Sequence, residues 1–169
     1  VKHQSAWDIL AMVHLLPSGV IVAKQELSWI PLFGYEVRRA DYLFIDRGGG
    51  AAALRRLVTE ARRRAESGYT VIVYPQGTRT LPGAHRPYQS GVAALYTGLD
   101  LPVVPVALNS GLFWPRRRPA QRPGVVTVEF LPPIPPGQER HLFMVTLENT
   151  IEAATTRLEN EARERFLLA

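Results

Sequence analysis

The feature that most limits how this chain can fold is its regular alternation of short β-branched runs with longer helical patterns. Apolar, β-branched stretches at residues 20–23, 42–45, 71–74, 103–108 and 125–131 read as strands. Residues 5–16, 51–66, 90–99 and 140–166 carry helical spacing between and after them. In the second of these, Leu54, Leu57, Val58, Ala61 and Ala65 line one face, with Arg55, Arg56, Arg62 and Arg63 on the other, and Gly68 is a natural stop. In the last, Phe143, Leu147, Ile151, Ala154, Leu158 and Ala162 recur at helical intervals. Strands separated by helices predict an α/β protein with a mostly parallel central sheet flanked by helices. Residues 111–124 read as a loop with no room for a crossover helix, so the last two strands are expected to pair antiparallel or to be joined by a looping excursion. Residues 132–137, Pro-Pro-Ile-Pro-Pro-Gly, form a stiff connector into the last helix.

Composition narrows the chemistry. The chain of 169 residues suits one domain, and with no cysteine it excludes disulfide scaffolds, Cys-ligated metals and thiol nucleophiles. Its net charge of +5 is uneven: residues through Arg122 carry 16 basic and 8 acidic side chains, the remainder 4 and 7. Arginine outnumbers lysine 18 to 2, which favours planar, bidentate grip on phosphate. An Arg-rich nucleic-acid binder is disfavoured, because the helical arginines are interleaved with Glu60 and Glu66 and no nucleic-acid motif is evident. No stretch reaches the roughly 20 apolar residues that span a bilayer. The chain opens on Val1 and is expected to be a fragment lacking upstream residues.

Two constellations carry chemistry. Ser5 and Asp8 have the spacing of a capping box, which accounts for both residues structurally but leaves His3 unexplained. If the chain bends ahead of the first helix, the Asp8 carboxylate reaches one imidazole nitrogen of His3 and leaves the other as a proton acceptor, the logic of a general base. The second constellation is a pair of loops at strand ends: Asp46-Arg47-Gly48-Gly49-Gly50 and Pro75-Gln76-Gly77-Thr78-Arg79-Thr80. Each couples glycine with arginine where ligands bind in open α/β sheets, so the two can converge on one phosphate. Lys24, just past a strand, is a further phosphate contact by position.

In order and spacing, His3-x-x-x-x-Asp8, Phe44-Ile45-Asp46-Arg47, Tyr74-Pro75-Gln76-Gly77-Thr78-Arg79 and Val104-Pro105-Val106-Ala107 resemble the four blocks of the glycerophospholipid acyltransferases. Among these the chain is most similar to the bacterial lysophosphatidic acid acyltransferases. The resemblance implies one catalytic domain over residues 1–169 with a glycerolipid acyltransferase-like fold. It implies transfer of a fatty acyl group from acyl-CoA or acyl-carrier protein to the free hydroxyl of a lysophospholipid, as a step of phospholipid biosynthesis. His3 would be the base, Asp8 its orienting partner, and Arg47, Gly77, Thr78 and Arg79 the holders of the acceptor phosphate. Such chemistry needs no metal, no cofactor and no covalent enzyme intermediate. Gln76 stands where the third block more often carries Glu; it has no exchangeable proton, so its expected role is hydrogen bonding to the acceptor or to the loop. That departure leaves open another lysolipid or glycerol 3-phosphate as acceptor, and a non-catalytic lipid-phosphate module as the alternative.

The lipid substrates imply a membrane surface as partner, on the cytoplasmic face of the inner membrane, with the domain peripheral or tethered by an upstream segment. Aromatic residues beside arginines suit the interfacial zone. Trp29 and Phe33 in one segment, and Phe113 and Trp114 followed by Arg116, Arg117 and Arg118 in another, are the expected contacts.

Overall fold

A computed structural model of the chain describes residues 1–29, 42–116 and 121–166, with Arg47 described in its backbone alone. The elements, in chain order, are α1 (Trp7–Leu15), β1 (Gly19–Lys24), a 3-10 turn (Gln25–Trp29), β2 (Leu43–Ile45), a second 3-10 turn (Arg47–Gly49) and α2 (Gly50–Glu66). They continue with β3 (Thr70–Ile72), α3 (Gly91–Leu99), β4 (Val106–Leu108), α4 (Ser110–Phe113), β5 (Val128–Phe130) and α5 (Arg140–Phe166).

The first three strands form a parallel sheet in the order β2-β1-β3. Lys24 of β1 stands opposite Ile45 of β2, and Ile21 opposite Ile72 of β3, so all three strands end at one edge. The expected parallel sheet is present, and the last two strands pair antiparallel, Val106 opposite Phe130. They make a separate ladder. The gap between the ladders is filled by the first residues of the chain: the nitrogen of Val1 donates to the Val73 carbonyl at 2.9 Å and Lys2 N to the Val106 carbonyl at 2.8 Å.

Side-chain alternation along β1 sorts the core into two layers. Val20 and Val22 face a cluster with Leu43, Leu57, Ala61 and Leu95, which covers the sheet with α2 and α3. Ile21 faces the opposite way onto Met12, Ile72 and Tyr74, beneath α1. All six apolar positions expected along α5 are buried; Phe143 stacks on Tyr96 at 3.7 Å between ring centroids. The proline-rich connector is held as well as stiff, because the Tyr96 hydroxyl donates to the Pro135 carbonyl at 2.6 Å and Ile134 is paired with Val103.

The segment expected to be only a loop contains the short helix α4, which packs its apolar side chains inward. Phe113, expected at a membrane surface, is therefore buried at 4% exposure against Ala162 and edge-on to Phe166. The ring lies so close over Gly124 that a Cβ there would stand 1.9 Å from it, which is why only glycine fits.

Candidate active site

The site begins with the carboxylate of Asp8, which is fully buried in the first turn of α1. Its Oδ2 accepts from Gln4 N at 2.7 Å and Ser5 N at 2.9 Å, and lies 2.9 Å from His3 Nδ1. Its Oδ1 accepts from the hydroxyl of Ser110 at the start of α4. The capping box is therefore half made. The carboxylate reaches back to Ser5 N, but the helix is capped at Ala6, and the Ser5 hydroxyl accepts from Trp7 N at 3.2 Å instead. Structural and chemical expectations for Asp8 meet in one group, since the bend that lets it satisfy two backbone donors also brings it to His3.

An ionised carboxylate only accepts, so the proton between the two side chains sits on Nδ1 and His3 Nε2 is left as a lone-pair acceptor. The imidazole is 12% exposed, and Nε2 has no partner among the described residues. Its ring lies against Tyr74, with centroids 4.2 Å apart. Tyr74 lies two residues past the end of β3, so the imidazole sits at the carboxyl edge of the parallel sheet. Burial pushes the Tyr74 phenol far above its usual range, with Asp8 adding to the shift, and its buried hydroxyl has no partner among the described residues.

The third block turns away from this edge at once. Gly77 N donates to the Tyr74 carbonyl at 2.9 Å, closing a tight turn, and Gly77 has φ +66°, a left-handed conformation suited to glycine. Two residues beyond Thr78 the loop is tied to His3 itself: Thr80 N donates to the His3 carbonyl at 2.8 Å. Arg79 is thus one residue from a bond to His3. Its own carbonyl accepts from Arg116 Nη1 at 3.0 Å, and its guanidinium has no partner among the described residues. The structure therefore brings together His3, Asp8 and the Gly77–Thr78–Arg79 turn.

It places the other expected residues differently. Arg47 opens the 3-10 turn at the end of β2, on the same sheet edge, but its side chain is outside the described residues. The glycine N–H groups beside it are not all open to an anion, because the Asp46 carboxylate accepts from Gly48 N at 2.8 Å. Lys24 ends β1 on the face of Val20 and Val22, opposite to that of Tyr74. Gln76 is 1% exposed, and its amide nitrogen donates to Glu152 of α5 at 3.3 Å. Trp29 is 70% exposed, while Trp114 and Arg116 are half-buried; Phe33, Arg117 and Arg118 lie outside the described residues. Among the described residues, no three His, Cys, Asp or Glu side chains gather as a metal site, and no helix is long and apolar enough to cross a membrane.

A family model described as Acyltransferase matches residues 1–109, from the start of the chain through β4. The chain belongs to the acyltransferase family. It is 33% identical over 135 residues to a 1-acyl-sn-glycerol-3-phosphate acyltransferase of Cocos nucifera, covering 79% of this chain and 44% of the relative. A Pseudomonas aeruginosa protein of the same name is 32% identical over 127 residues, covering 75% of this chain and 49% of the relative. The chain thus spans about half the length of the curated relatives it matches. The crystal structure of the 1-acyl-sn-glycerophosphate acyltransferase PlsC from Thermotoga maritima superposes with a TM-score of 0.75 at 22% identity, covering 94% of this chain and 64% of that one, which shows a shared fold.

Sequence reasoning missed Ser110. No local pattern signals it, since its partner lies 102 residues earlier and only the packing of α4 against the chain start joins them. It also missed the polar stripe of α5, where Thr155 and Glu159 are buried among the expected apolar positions.

Proposed function

We propose that this acyltransferase moves a fatty acyl group from a thioester, acyl-CoA or acyl-carrier protein, to the free hydroxyl of lysophosphatidic acid. The observation that carries this reading is the imidazole of His3, held by a fully buried carboxylate through Nδ1 at 2.9 Å and without a partner at Nε2 among the described residues. Nε2 takes the hydroxyl proton as the oxygen attacks the thioester carbonyl. The C–S bond then breaks and the leaving thiolate recovers that proton from the imidazolium. The ester forms with no covalent enzyme intermediate, and Asp8 offsets the charge that develops on the ring. Gly77, Thr78 and Arg79, with Arg47 from the end of β2 on the other side of β1, hold the acceptor phosphate. Fixing the phosphate fixes the hydroxyl, and this positioning supplies much of the rate. The lipid substrates bring the domain to a bilayer surface, where Trp29 is its exposed aromatic contact.

The test is thiol release from acyl-CoA in the presence and absence of lysophosphatidic acid. Release that requires the acceptor and is lost by a factor of about 10²–10⁴ in His3→Ala supports the reading. Acceptor binding without release makes the domain a lipid-phosphate module, and preference for another lysolipid or glycerol 3-phosphate changes the acceptor.

A further inference from the structure

The residues on either side of the base are buried, polar and held by the same helix. Lys2 and Gln4 are each 1% exposed, whereas His3 between them faces the site, the alternation of an extended chain. Lys2 Nζ pairs with Glu152 at 2.6 and 2.8 Å, and Gln4 Nε2 donates to Glu159 at 2.6 Å. The two glutamates are seven residues apart on α5, two turns, and so share one face.

Each carboxylate also takes a second set of donors, and both sets come from the loop that follows β3. Glu152 accepts from Gln76 at 3.3 Å, one residue before Gly77, and from the Tyr88 hydroxyl at 2.9 Å. Glu159 accepts from Gly83 N at 2.9 Å. Gln4 then passes the constraint on, its Oε1 accepting from Gly111 N at 3.1 Å beside Ser110, whose hydroxyl holds Asp8. An ion pair with a buried lysine adds little net stability, so several donors on one buried and one partly buried carboxylate call for another reason.

We infer that Glu152 and Glu159 are positioning residues that set the base-bearing segment in register with the phosphate-side loop. Neither touches the reacting atoms. Glu152 ties Lys2 to Gln76 and Tyr88, and Glu159 ties Gln4 to Gly83, so helix α5, which lies beyond the residues matched by the family model, fixes the separation between proton acceptor and acceptor phosphate. This also accounts for Gln76: a glutamate there would face Glu152 with a second charge, whereas the amide donates to it. The inference rests on His3 acting as the base.

The experiment measures kcat and acceptor KM by thiol release, together with thermal unfolding and near-ultraviolet circular dichroism. The variants are Glu152→Gln, Glu159→Gln and the paired Lys2→Met/Glu152→Leu. Displacing a reacting group by about 1 Å costs about 100-fold in rate. The expected result is therefore kcat lower by about 10–100-fold, acceptor KM within about threefold of wild type, and native dichroism. A paired apolar variant that folds and keeps wild-type kcat overturns the inference. So does a fall in kcat no larger than the fall in folded fraction. If the paired variant does not fold, the two single variants read the same quantities. Failure of the functional reading is distinguishable, because then wild type itself shows no acceptor-dependent release or His3→Ala remains active.

Discussion

Replacing Asp8 by asparagine separates two tasks that its carboxylate performs at once. In the folded protein it satisfies four donors: Gln4 N, Ser5 N, the Ser110 hydroxyl and His3 Nδ1. Asparagine can keep all of them. Its carbonyl oxygen takes the place of Oδ2 with three donors, and its NH₂ takes the place of Oδ1, where the Ser110 hydroxyl rotates from donor to acceptor. Only the turned Ser110 O–H then needs a new acceptor, so stability should fall by no more than about 1–3 kcal/mol, the cost of one unsatisfied buried donor. What disappears is the negative charge beside an imidazolium that forms only during reaction. Two unit charges about 4 Å apart at an effective dielectric of about 20 interact by about 4 kcal/mol. Since 1.36 kcal/mol is tenfold in rate, kcat should fall by about 10³ with both KM values little changed. Alanine at the same position loses the charge and also removes the acceptor of all four donors, at about 1–3 kcal/mol for each one left buried, a large part of a domain's whole stability. Thiol release read alongside thermal melts checks both halves. An Asp8→Asn variant that melts with wild type and works within tenfold of its rate refutes the charge argument; one that unfolds refutes the donor accounting.

Four further outcomes follow from the same geometry. Ser110→Ala leaves Oδ1 of Asp8 without its donor, so kcat should drop about tenfold at an unfolding cost of about 1–3 kcal/mol, with Ser110→Thr recovering part of both if the methyl fits. On the proposed function, Arg79→Gln removes a charge-assisted phosphate contact of about 1.5–3 kcal/mol and should raise acceptor KM roughly 10–150-fold while donor KM holds; a donor-side effect instead would move Arg79 to the other substrate. Burial pushes the Glu159 carboxyl above its ordinary range against the opposing bonds from Gln4 and Gly83. The folded state therefore holds that proton to higher pH than the unfolded chain, and stability from this group falls as pH rises above about 4.5. Urea melts across that range should show a shallower decline in Glu159→Gln, and equal slopes would count against it. Wild type should bind anionic vesicles more weakly as salt rises, and Trp29→Ser should bind less at every salt concentration; salt-independent binding to neutral vesicles would contradict the charge contribution.

The fold was legible where side-chain period reports burial directly. The strands on both sides of α2 and the six buried positions of α5 follow from local spacing, because a half-buried helix or a buried strand must place apolar groups at its own repeat. For the last pair the spacing left antiparallel pairing or a looping excursion open, and the structure shows the antiparallel pairing. The burial of Phe113 was not legible. An aromatic residue next to prolines and arginines looks interfacial in one dimension, and only the inward turn of α4 against the end of α5 makes it core.

The chain order alone determined the pairing of His3 with Asp8, because five residues around a helix start are a local problem with a local solution. It also determined the Gly77 turn, since few residues other than glycine tolerate its backbone angles. Tertiary structure decided everything that reaches those residues from afar: Ser110 on Asp8, Glu152 and Glu159 on the neighbours of His3, Tyr74 against its ring. Most of these contacts join positions 70 to more than 150 residues apart, where no period or spacing carries a signal. A buried polar side chain is dictated by the donors that surround it after folding, and those donors come from the whole chain.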